Sequence, residues 1–219
     1  MAYNFTAASS QILTAPISTE TRITGAITLA AWIKSTGVYN SPLSILASRG
    51  GSASNGRAYT LQLSSAGKIG SNINSTGLSA NNFVTEGTTI VGTNPRHVAL
   101  TFSPSAFSRI YVDGAQDAER TSSVPSSIAD ITGVNLNFGN LFGASLSFNG
   151  TIAEVGIWNS ALTQPEIASL AKGMTPDKIR PQSLVFYAAL VRDLIDQKGG
   201  LTITNQNGAT VANHPRIYP

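Results

Sequence analysis

The chain has 219 residues, of which 42% are hydrophobic and only 11% are charged. That length suits one large β domain, and the hydrophobic content is enough for a substantial core. The net charge of +3 comes from scattered basic residues, so no nucleic-acid partner is expected. There is no cysteine, so disulfides and Cys-based zinc sites are excluded.

The first residues carry neither the basic start nor the apolar run of a secretory signal peptide. No apolar stretch approaches the ~20 residues needed to cross a bilayer, so no membrane partner is expected. We therefore expect synthesis and folding in the cytoplasm. The low charge also reduces repulsion between copies, which favours a homo-oligomer or another protein that packs against neighbours.

Alternating apolar and polar residues predict β-strands in the first half of the chain. In residues 26–34, every second side chain from Ile27 to Ile33 is apolar and points to one face. Trp32 lies in this strand and Trp158 in a later one, so both are interpreted as packing residues. Shorter strands are predicted at residues 11–17, 44–48, 58–63, 68–73 and 88–91.

A β-hairpin is predicted near the middle of the chain. Residues 96–102 alternate, and residues 109–112 form a second apolar run that ends at Asp113-Gly114. Both central residues of a two-residue hairpin turn need a positive φ, which Asp and Gly adopt more readily than other residues. This dipeptide directly after an alternating strand is therefore a strong hairpin signal.

Residues 151–158 predict another strand, but with a change of phase. Ile152 is set apart from Val155 and Ile157, so strict alternation would place them on opposite faces of a sheet. A β-bulge near Ala153-Glu154 would bring the apolar side chains back to one face. Further strands are predicted at residues 135–138, 184–190, 201–204 and 210–212.

One helix is predicted, over residues 164–172. Thr163 and Glu166 have the spacing of a capping box, in which each side chain satisfies the other's backbone amide. Pro165 fits the first turn, and Gly173 is placed to end the helix in a left-handed conformation. Two turns are too few to be stable alone, so the helix is expected to dock on the β-structure.

Four segments carry recognisable motifs in a fixed order: residues 27–34 (ITLAAWIK), 96–102 (RHVALTF), 110–114 (IYVDG) and 148–163 (FNGTIAEVGIWNSALT). They resemble the patterns FTISAWVK, HHVALT, LYVDG and FxGxIDEVxIYNxALS of concanavalin A-like, laminin-G-like domains. The resemblance implies an all-β fold, a two-sheet antiparallel jelly-roll sandwich with one short helix. It is specific for the fold and says little about function.

The C-terminal region resembles the segment with which these family domains usually open. Residues 184–190 (LVFYAAL), followed by Asp193, are similar to the family's LVAYWPL and DxSG motifs. We therefore predict a circular permutation, in which the strand near residues 184–190 completes the sheet beside the N-terminal strand. The alternative is a separate tail that packs on a partner.

This permutation predicts a single domain over residues 1–219. Residues 1–174 would form the main sandwich, and residues 183–213 would supply C-terminal strands that complete it. Chain termini of such folds lie close together, so the rearrangement is physically tolerated. Residues 214–219 are predicted to be an extended tail, because they contain two prolines.

The permuted layout and the ending VANHPRIYP also resemble small virion proteins of tailed bacteriophages that carry this jelly roll. The resemblance implies a non-catalytic protein of the virion surface, such as a capsid decoration protein, a head spike or a fibre component. Its partner would be the major capsid protein or another virion protein. The alternative is a carbohydrate-binding, lectin-like module that recognises cell-surface polysaccharide, and the two hypotheses are compatible.

Recognition of a glycan needs exposed aromatic platforms beside hydrogen-bonding side chains. Tyr39, Tyr59, Phe83 and Phe107 lie in or beside predicted loops, and they are the candidate contacts for a glycan or a protein partner. The alternative for each of them is that it caps the core of the sandwich.

No enzymatic activity is expected. Glucanases on this fold use two carboxylates that reach one glycosidic bond, and the acidic residues here are isolated in sequence. His97 lies where the family has a structural strand histidine. Family members that bind calcium have an acidic N-terminal loop, but residues 4–10 (NFTAASS) contain no acid, and Ala153 replaces the family's Asp. No cofactor is therefore expected, and calcium is left open.

Overall fold

Two antiparallel β-sheets stack face to face and enclose one hydrophobic core, with one short α-helix outside them. The computed structural model describes residues 1–37, 43–50, 57–76, 82–92, 94–140, 147–191 and 193–214. The architecture confirms the predicted all-β sandwich of the concanavalin A-like jelly-roll class. No helix in these residues has the length and apolar composition required to cross a membrane.

The strands are β1 (Ala2–Phe5), β2 (Ile12–Ala15), β3 (Ile27–Ser35), β4 (Leu43–Gly50), β5 (Arg57–Leu63), β6 (Lys68–Asn74), β7 (Asn82–Thr89), β8 (Arg96–Ser103), β9 (Phe107–Val112), β10 (Ala115–Arg120), β11 (Leu136–Phe138), β12 (Gly150–Trp158), β13 (Leu184–Ala188), β14 (Thr204–Gln206) and β15 (Thr210–Ala212). Helix α1 spans Gln164–Ala171. Sheet A has the order β10-β9-β8-β3-β12-β1-β15, and β13 also pairs with β12; sheet B has the order β14-β2-β11-β4-β5-β6-β7.

The hairpin and the bulge form as the sequence predicts. Asp113 and Gly114 have φ values of 48° and 84° and connect β9 to β10, which pair from Val112 and Ala115 onward. The register between β12 and β3 shifts between Ala153 and Gly156. This bulge returns the apolar side chains of β12 to the core, since Ile152, Val155 and Ile157 are all buried there.

Helix α1 docks on the outer face of sheet A. The Glu166 carboxylate accepts hydrogen bonds from the amide and the hydroxyl of Thr163, each at 2.7 Å, so the capping box is confirmed. Gly173 follows with a φ of 100°, which confirms the left-handed end. Ile167 and Leu170 are buried in a second, smaller core beneath the helix.

Trp158 is fully buried in this smaller core, and its indole Nε1 donates a hydrogen bond to the Ile179 carbonyl at 2.8 Å. Trp32 is half-buried on the same outer face of sheet A, where its ring contacts His97 edge-on. The structure thus places both tryptophans where they pack against other parts of the sandwich, as predicted.

The C-terminal strands complete both sheets. β13 pairs with the second half of β12, whereas β1 pairs with the first half along the same edge. The strand directly beside β1 is β15, and β14 extends sheet B beside β2. The predicted placement of residues 184–190 beside the N-terminal strand is thus corrected: β13 follows β1 along β12 instead of pairing with it. Circular permutation itself stays a prediction.

Two other strand predictions differ from the structure. β7 begins at Asn82, well before the predicted residues 88–91. The predicted strand at residues 201–204 makes only an isolated bridge between Thr202 and Ile195, and β14 begins at Thr204, where pairing with Thr14 becomes available. Short strands form only where a neighbouring edge accepts them, which local patterns do not encode.

Candidate functional site

A row of uncharged polar side chains crosses the outer face of sheet B. Thr14 of β2 pairs with Asn137 of β11, and Thr60 of β5 pairs with Asn72 of β6, with Ala47 of β4 in register between the two pairs. Directly opposite residues share one face of a sheet. We call Thr14, Asn137, Thr60 and Asn72 the polar row. It spans four strand intervals of about 4.8 Å, or about 19 Å.

The alternation of each strand sets this face. Leu13, Phe138 and Tyr59 neighbour members of the polar row in sequence, and all three are buried in the main hydrophobic core. Successive side chains of a strand point to opposite faces, so the polar row points away from that core. The Thr14 hydroxyl donates a hydrogen bond to Asn137 Oδ1 at 3.3 Å, which confirms that these side chains meet on one face.

Part of the hydrogen-bonding capacity of the polar row is unused. Thr60 Oγ1, Asn72 Oδ1 and Asn137 Nδ2 are buried and have no hydrogen-bond partner in the described part of the chain. Thr60 is 1% exposed and Asn72 is 4% exposed. Leaving a buried polar group unpaired costs about 1–3 kcal/mol, and β5, β6 and β11 of sheet B each carry one such atom of the polar row.

The chemistry of the polar row is that of neutral hydrogen bonding. A threonine hydroxyl both donates and accepts, and an asparagine amide offers a carbonyl oxygen and an NH₂ group. None of the four side chains carries a charge. Such a surface matches ligands whose hydroxyl groups both donate and accept, and it offers nothing specific to a phosphate or a metal ion.

Tyr59, one of the aromatic residues predicted to contact a ligand, lies inside the sandwich. Its side chain is fully buried, and its hydroxyl donates a hydrogen bond to the Thr21 carbonyl at 2.8 Å. This prediction is corrected, because the residue that β5 presents outward at this level is the adjacent Thr60. Tyr59 instead connects β5 to the segment between β2 and β3.

Phe107 lies on the other sheet. It begins β9 in sheet A, is half-buried, and has the Arg109 guanidinium 3.8 Å above its ring centroid. One face of the ring is therefore already occupied, and the residue is not part of the polar row. Phe83 is in β7, but its side chain lies outside the described part of the structure, and Tyr39 lies outside the described residues altogether. Tyr59 and Phe107, the two predicted aromatic residues whose side chains are described, lie in different sheets.

The buried carboxylates serve structural roles. Asp196 is fully buried and accepts hydrogen bonds from the amides of Tyr187, Lys198 and Gly199 at 2.9, 3.0 and 2.9 Å. Burial raises its pKa, against the effect of these hydrogen bonds. Glu154 sits in the β12 bulge with a φ of 52°. Within the described ranges, no three His, Asp or Glu side chains group so as to hold a metal ion.

The calcium site of the family does not fit the residues present here. The matching N-terminal stretch forms β1 and a short turn, and it contains no acid. The Glu154 carboxylate accepts a hydrogen bond from the Tyr187 hydroxyl at 2.6 Å, and it lies 3.1 Å from His214 Nε2. Burial, and then this hydrogen bond, raise the pKa of Tyr187. Each oxygen of the Glu154 carboxylate therefore already has a hydrogen-bonding neighbour in the protein.

His97 is buried against Trp32, with ring centroids 5.6 Å apart, and is 2% exposed. Burial lowers its pKa from 6.5 to about 3, so the imidazole is neutral near pH 7. Its backbone amide donates a hydrogen bond to Asp113 Oδ1 at 2.9 Å, which connects the start of β8 to the hairpin turn. These contacts are those of a structural residue.

The polar row was not predicted from the sequence. The sequence does contain a feature that points to it. Thr14, Thr60 and Asn137 occupy the non-core positions of predicted strands, and a surface strand usually carries charged or long polar residues at such positions. Their short, uncharged side chains at matching positions of neighbouring strands become meaningful only when the pairing is known.

Comparison with known proteins identifies relatives of the fold. The family model of the concanavalin A-like lectin/glucanases superfamily matches residues 7–168. No curated protein sequence matches the chain. A proposed carbohydrate-binding protein from Bacteroides ovatus superposes with a TM-score of 0.71 at 19% identity, covering 95% of this chain and 58% of that protein. This chain therefore spans little more than half the length of that relative.

Two further solved structures are similar. The CBM40 domain of the Ruminococcus gnavus IT-sialidase, bound to α2,3-sialyllactose, has a TM-score of 0.58 at 20% identity and covers 72% of this chain and 91% of that one. The heptameric SAP-like pentraxin of Limulus polyphemus has a TM-score of 0.57 at 13% identity and covers 91% and 93%. At these identities the likeness establishes the fold.

Proposed function

This chain belongs to the concanavalin A-like lectin/glucanases superfamily, and on that premise we propose that it is a non-catalytic carbohydrate-binding domain whose polar row contacts the glycan. One observation carries the proposal: Thr60 Oγ1, Asn72 Oδ1 and Asn137 Nδ2 are unpartnered polar atoms on one face of sheet B. The carbohydrate-binding relatives among the similar structures support it.

The ligand class follows from the chemistry of the row. Sugar hydroxyls donate and accept hydrogen bonds, and the threonine and asparagine side chains of the polar row do the same. Because the four side chains are uncharged, the proposed ligand is a neutral glycan segment. A site built to hydrogen-bond hydroxyls discriminates strongly against analogues that lack them, since its own polar groups are then left unpaired.

Access to the row is part of the proposal. Thr60 and Asn137 are each 1% exposed, so a glycan reaches their polar atoms only after the groups that shield them move aside. Such local rearrangement accompanies a substantial minority of binding reactions. The row is open at one end, where Thr204 of β14 pairs with Thr14 and has an exposed side chain.

The positions of the described carboxylates favour glycan binding without hydrolysis. Hydrolysis of a glycoside needs two carboxyl groups about 5–10 Å apart that face one bond. On the described surface the polar row contains no carboxylate, and Glu166, Glu119 and Asp130 are committed to ion pairs with arginines. These arrangements leave the polar row without the groups that glycoside hydrolysis requires.

The setting in which a glycan is bound is a separate proposal. The resemblance to bacteriophage virion proteins suggests a virion surface, with the major capsid protein or another virion protein as partner. The pentraxin among the similar structures is heptameric, which supports a homo-oligomer. Mass spectrometry of purified particles and light scattering of the purified protein test these two points, and a monomer absent from particles contradicts both.

The glycan proposal is tested with a glycan array followed by calorimetric titration of the best neutral ligand. Thr60→Val removes one hydroxyl of the row and is expected to weaken binding about tenfold. The matched control is Thr101→Val, which removes another buried, unpartnered hydroxyl from the other sheet and should leave affinity unchanged. An array without neutral-glycan binding, or equal affinity in both variants, contradicts the proposal.

A further inference from the structure

A cleft of ≈ 470 Å³ is lined by residues that do not belong to the polar row. Its walls are the segment between β2 and β3, which carries Glu20, and the segment after β13, which carries Lys198. Asn159 and Gln182 add side-chain amides, and Val185 and Leu201 add aliphatic surface. All of these residues lie in the described part of the chain.

The backbone on both sides of Glu20 is fixed by hydrogen bonds between Ser18 and Thr21. The amide of Ser18 donates to Thr21 Oγ1 at 3.2 Å, and the amide of Thr21 donates to Ser18 Oγ at 3.3 Å. The buried Tyr59 hydroxyl donates a hydrogen bond to the Thr21 carbonyl. Hydrogen bonds from its own amide and from Ser18 lower the pKa of Glu20, so its carboxylate is ionised at neutral pH.

The Lys198 wall is fixed by the buried Asp196 carboxylate, which accepts the amides of Lys198 and Gly199 and the amide of Tyr187 in β13. The Lys198 ammonium donates one hydrogen bond to the Pro181 carbonyl at 3.0 Å. An ammonium has three N–H donors, so two remain for a ligand. The backbone of both walls is therefore positioned before any ligand arrives, which reduces the entropy cost of binding.

Glu20 and Lys198 carry opposite charges into one cleft, yet no ion pair joins them among the described residues. Each charge thus keeps capacity for a ligand. A molecule that carries an ammonium and a carboxylate could bridge them, with its ammonium at Glu20 and its carboxylate at Lys198. Val185 and Leu201 would cover an aliphatic part, while Asn159 and Gln182 would hydrogen-bond polar groups.

We propose that this cleft binds a small zwitterion, a molecule with one ammonium and one carboxylate group, between Glu20 and Lys198. Two sources supply this chemistry: a free aliphatic amino acid and an amino-sugar acid. The site is separate from the polar row and does not depend on glycan binding there.

The test is calorimetric titration with four probes: L-leucine, D-glucosaminic acid, L-leucinamide, which lacks the carboxylate, and N-acetyl-L-leucine, which lacks the ammonium. We expect saturable binding of at least one zwitterion, and about tenfold weaker binding of leucinamide and N-acetyl-leucine if leucine is the ligand. Preference between leucine and glucosaminic acid distinguishes the two sources. Absence of saturable binding of both zwitterions up to about 10 mM overturns the proposal.

Two variants locate the site. Glu20→Gln should weaken zwitterion binding and leave N-acetyl-leucine unaffected, whereas Lys198→Met should weaken zwitterion binding and leave leucinamide unaffected. Lys68→Met, an exposed lysine of β6 outside the cleft, is the matched control and should change nothing. Both cleft residues are exposed, so the variants should fold, which circular dichroism checks. Unchanged zwitterion affinity in both cleft variants overturns the proposal. Thr60→Val should leave the zwitterion affinity unchanged, whether or not the polar row binds a glycan.

Discussion

The Arg180 guanidinium donates two hydrogen bonds to the Glu166 carboxylate, from Nε to Oε1 at 2.8 Å and from Nη2 to Oε2 at 2.5 Å. The same carboxylate caps helix α1 through Thr163. One side chain therefore begins the helix and also fixes the chain that leaves it toward β13. Partial burial opposes ionisation of Glu166, but the Thr163 hydrogen bonds and Arg180 outweigh it and lower its pKa.

Replacing Glu166 by Gln should destabilise the protein by about 1–2 kcal/mol at pH 7, because a capping and charge-assisted interaction is lost. The folded-state pKa is lowered, so the stabilisation is present above the unfolded value of 4.5 and is lost as the pH falls through the folded value. Urea denaturation at pH 7 and pH 3 measures both effects. Glu86→Gln, at an exposed acid of β7, is the control. If both substitutions lower the free energy of unfolding equally, the cap and the Arg180 pair do not stabilise the protein.

His97 should make the protein less stable in acid. Burial holds its folded-state pKa at about 3, below the unfolded value of 6.5, so between these values only the unfolded chain takes up the proton. Above pH 6.5 this histidine does not lower the free energy of unfolding. As the pH drops from 6.5 toward 3, its contribution lowers the free energy of unfolding by about 1.4 kcal/mol per pH unit. His97→Phe should remove this component of the slope. Parallel slopes for the two proteins in denaturant titrations from pH 7 to pH 4 would refute it.

Thr60→Val should stabilise the protein while it weakens glycan binding. A buried hydroxyl without a partner costs free energy, and its replacement by a methyl group of similar size should raise the free energy of unfolding by about 1 kcal/mol. Thr101→Val should stabilise similarly without affecting the glycan. Chemical denaturation gives the comparison. Destabilisation by Thr60→Val would mean that the hydroxyl has a structural partner, and the polar row would lose its main support.

Gly150, the glycine of the FNG motif, cannot carry a side chain. Its φ is 139°, and a Cβ built there would overlap the Lys34 carbonyl oxygen, because β12 begins against the end of β3. Gly150→Ala should therefore destabilise by about 3 kcal/mol or more. Gly92→Ala is the control, since nothing lies within 4 Å of its added Cβ. Thermal unfolding of both variants measures the difference in melting temperature, and similar melting temperatures would contradict the steric argument.

The features predicted correctly from the sequence are those whose physics is local. The Asp113-Gly114 turn needs only two positive φ values, and the Thr163–Glu166 cap joins groups three residues apart. The bulge at Glu154 was detectable because the phase of the apolar side chains changes within one strand. Each of these signals is complete within a few consecutive residues.

Predictions failed where the outcome depended on a distant partner. Tyr59 and Thr60 are neighbours in sequence, and the sequence predicts their strand correctly but predicts Tyr59, not Thr60, as the surface contact. The structure places Tyr59 inside because β5 pairs with β4 and β6 in a register that directs Tyr59, Leu61 and Leu63 into the core. A strand shifted by one residue would exchange the two faces.

The sequence alone determined the strands, the central hairpin, the bulge and the capped helix, because period-2 alternation, turn chemistry and capping act over short spans of chain. The two-sheet sandwich was implied by the resemblance of its motifs to those of the family. Only the tertiary structure decided that Thr14 meets Asn137 and that Glu20 and Lys198 line one cleft. Residues so far apart in the chain come together through the pairing of strands and the packing of loops, and side-chain chemistry by itself does not specify that register.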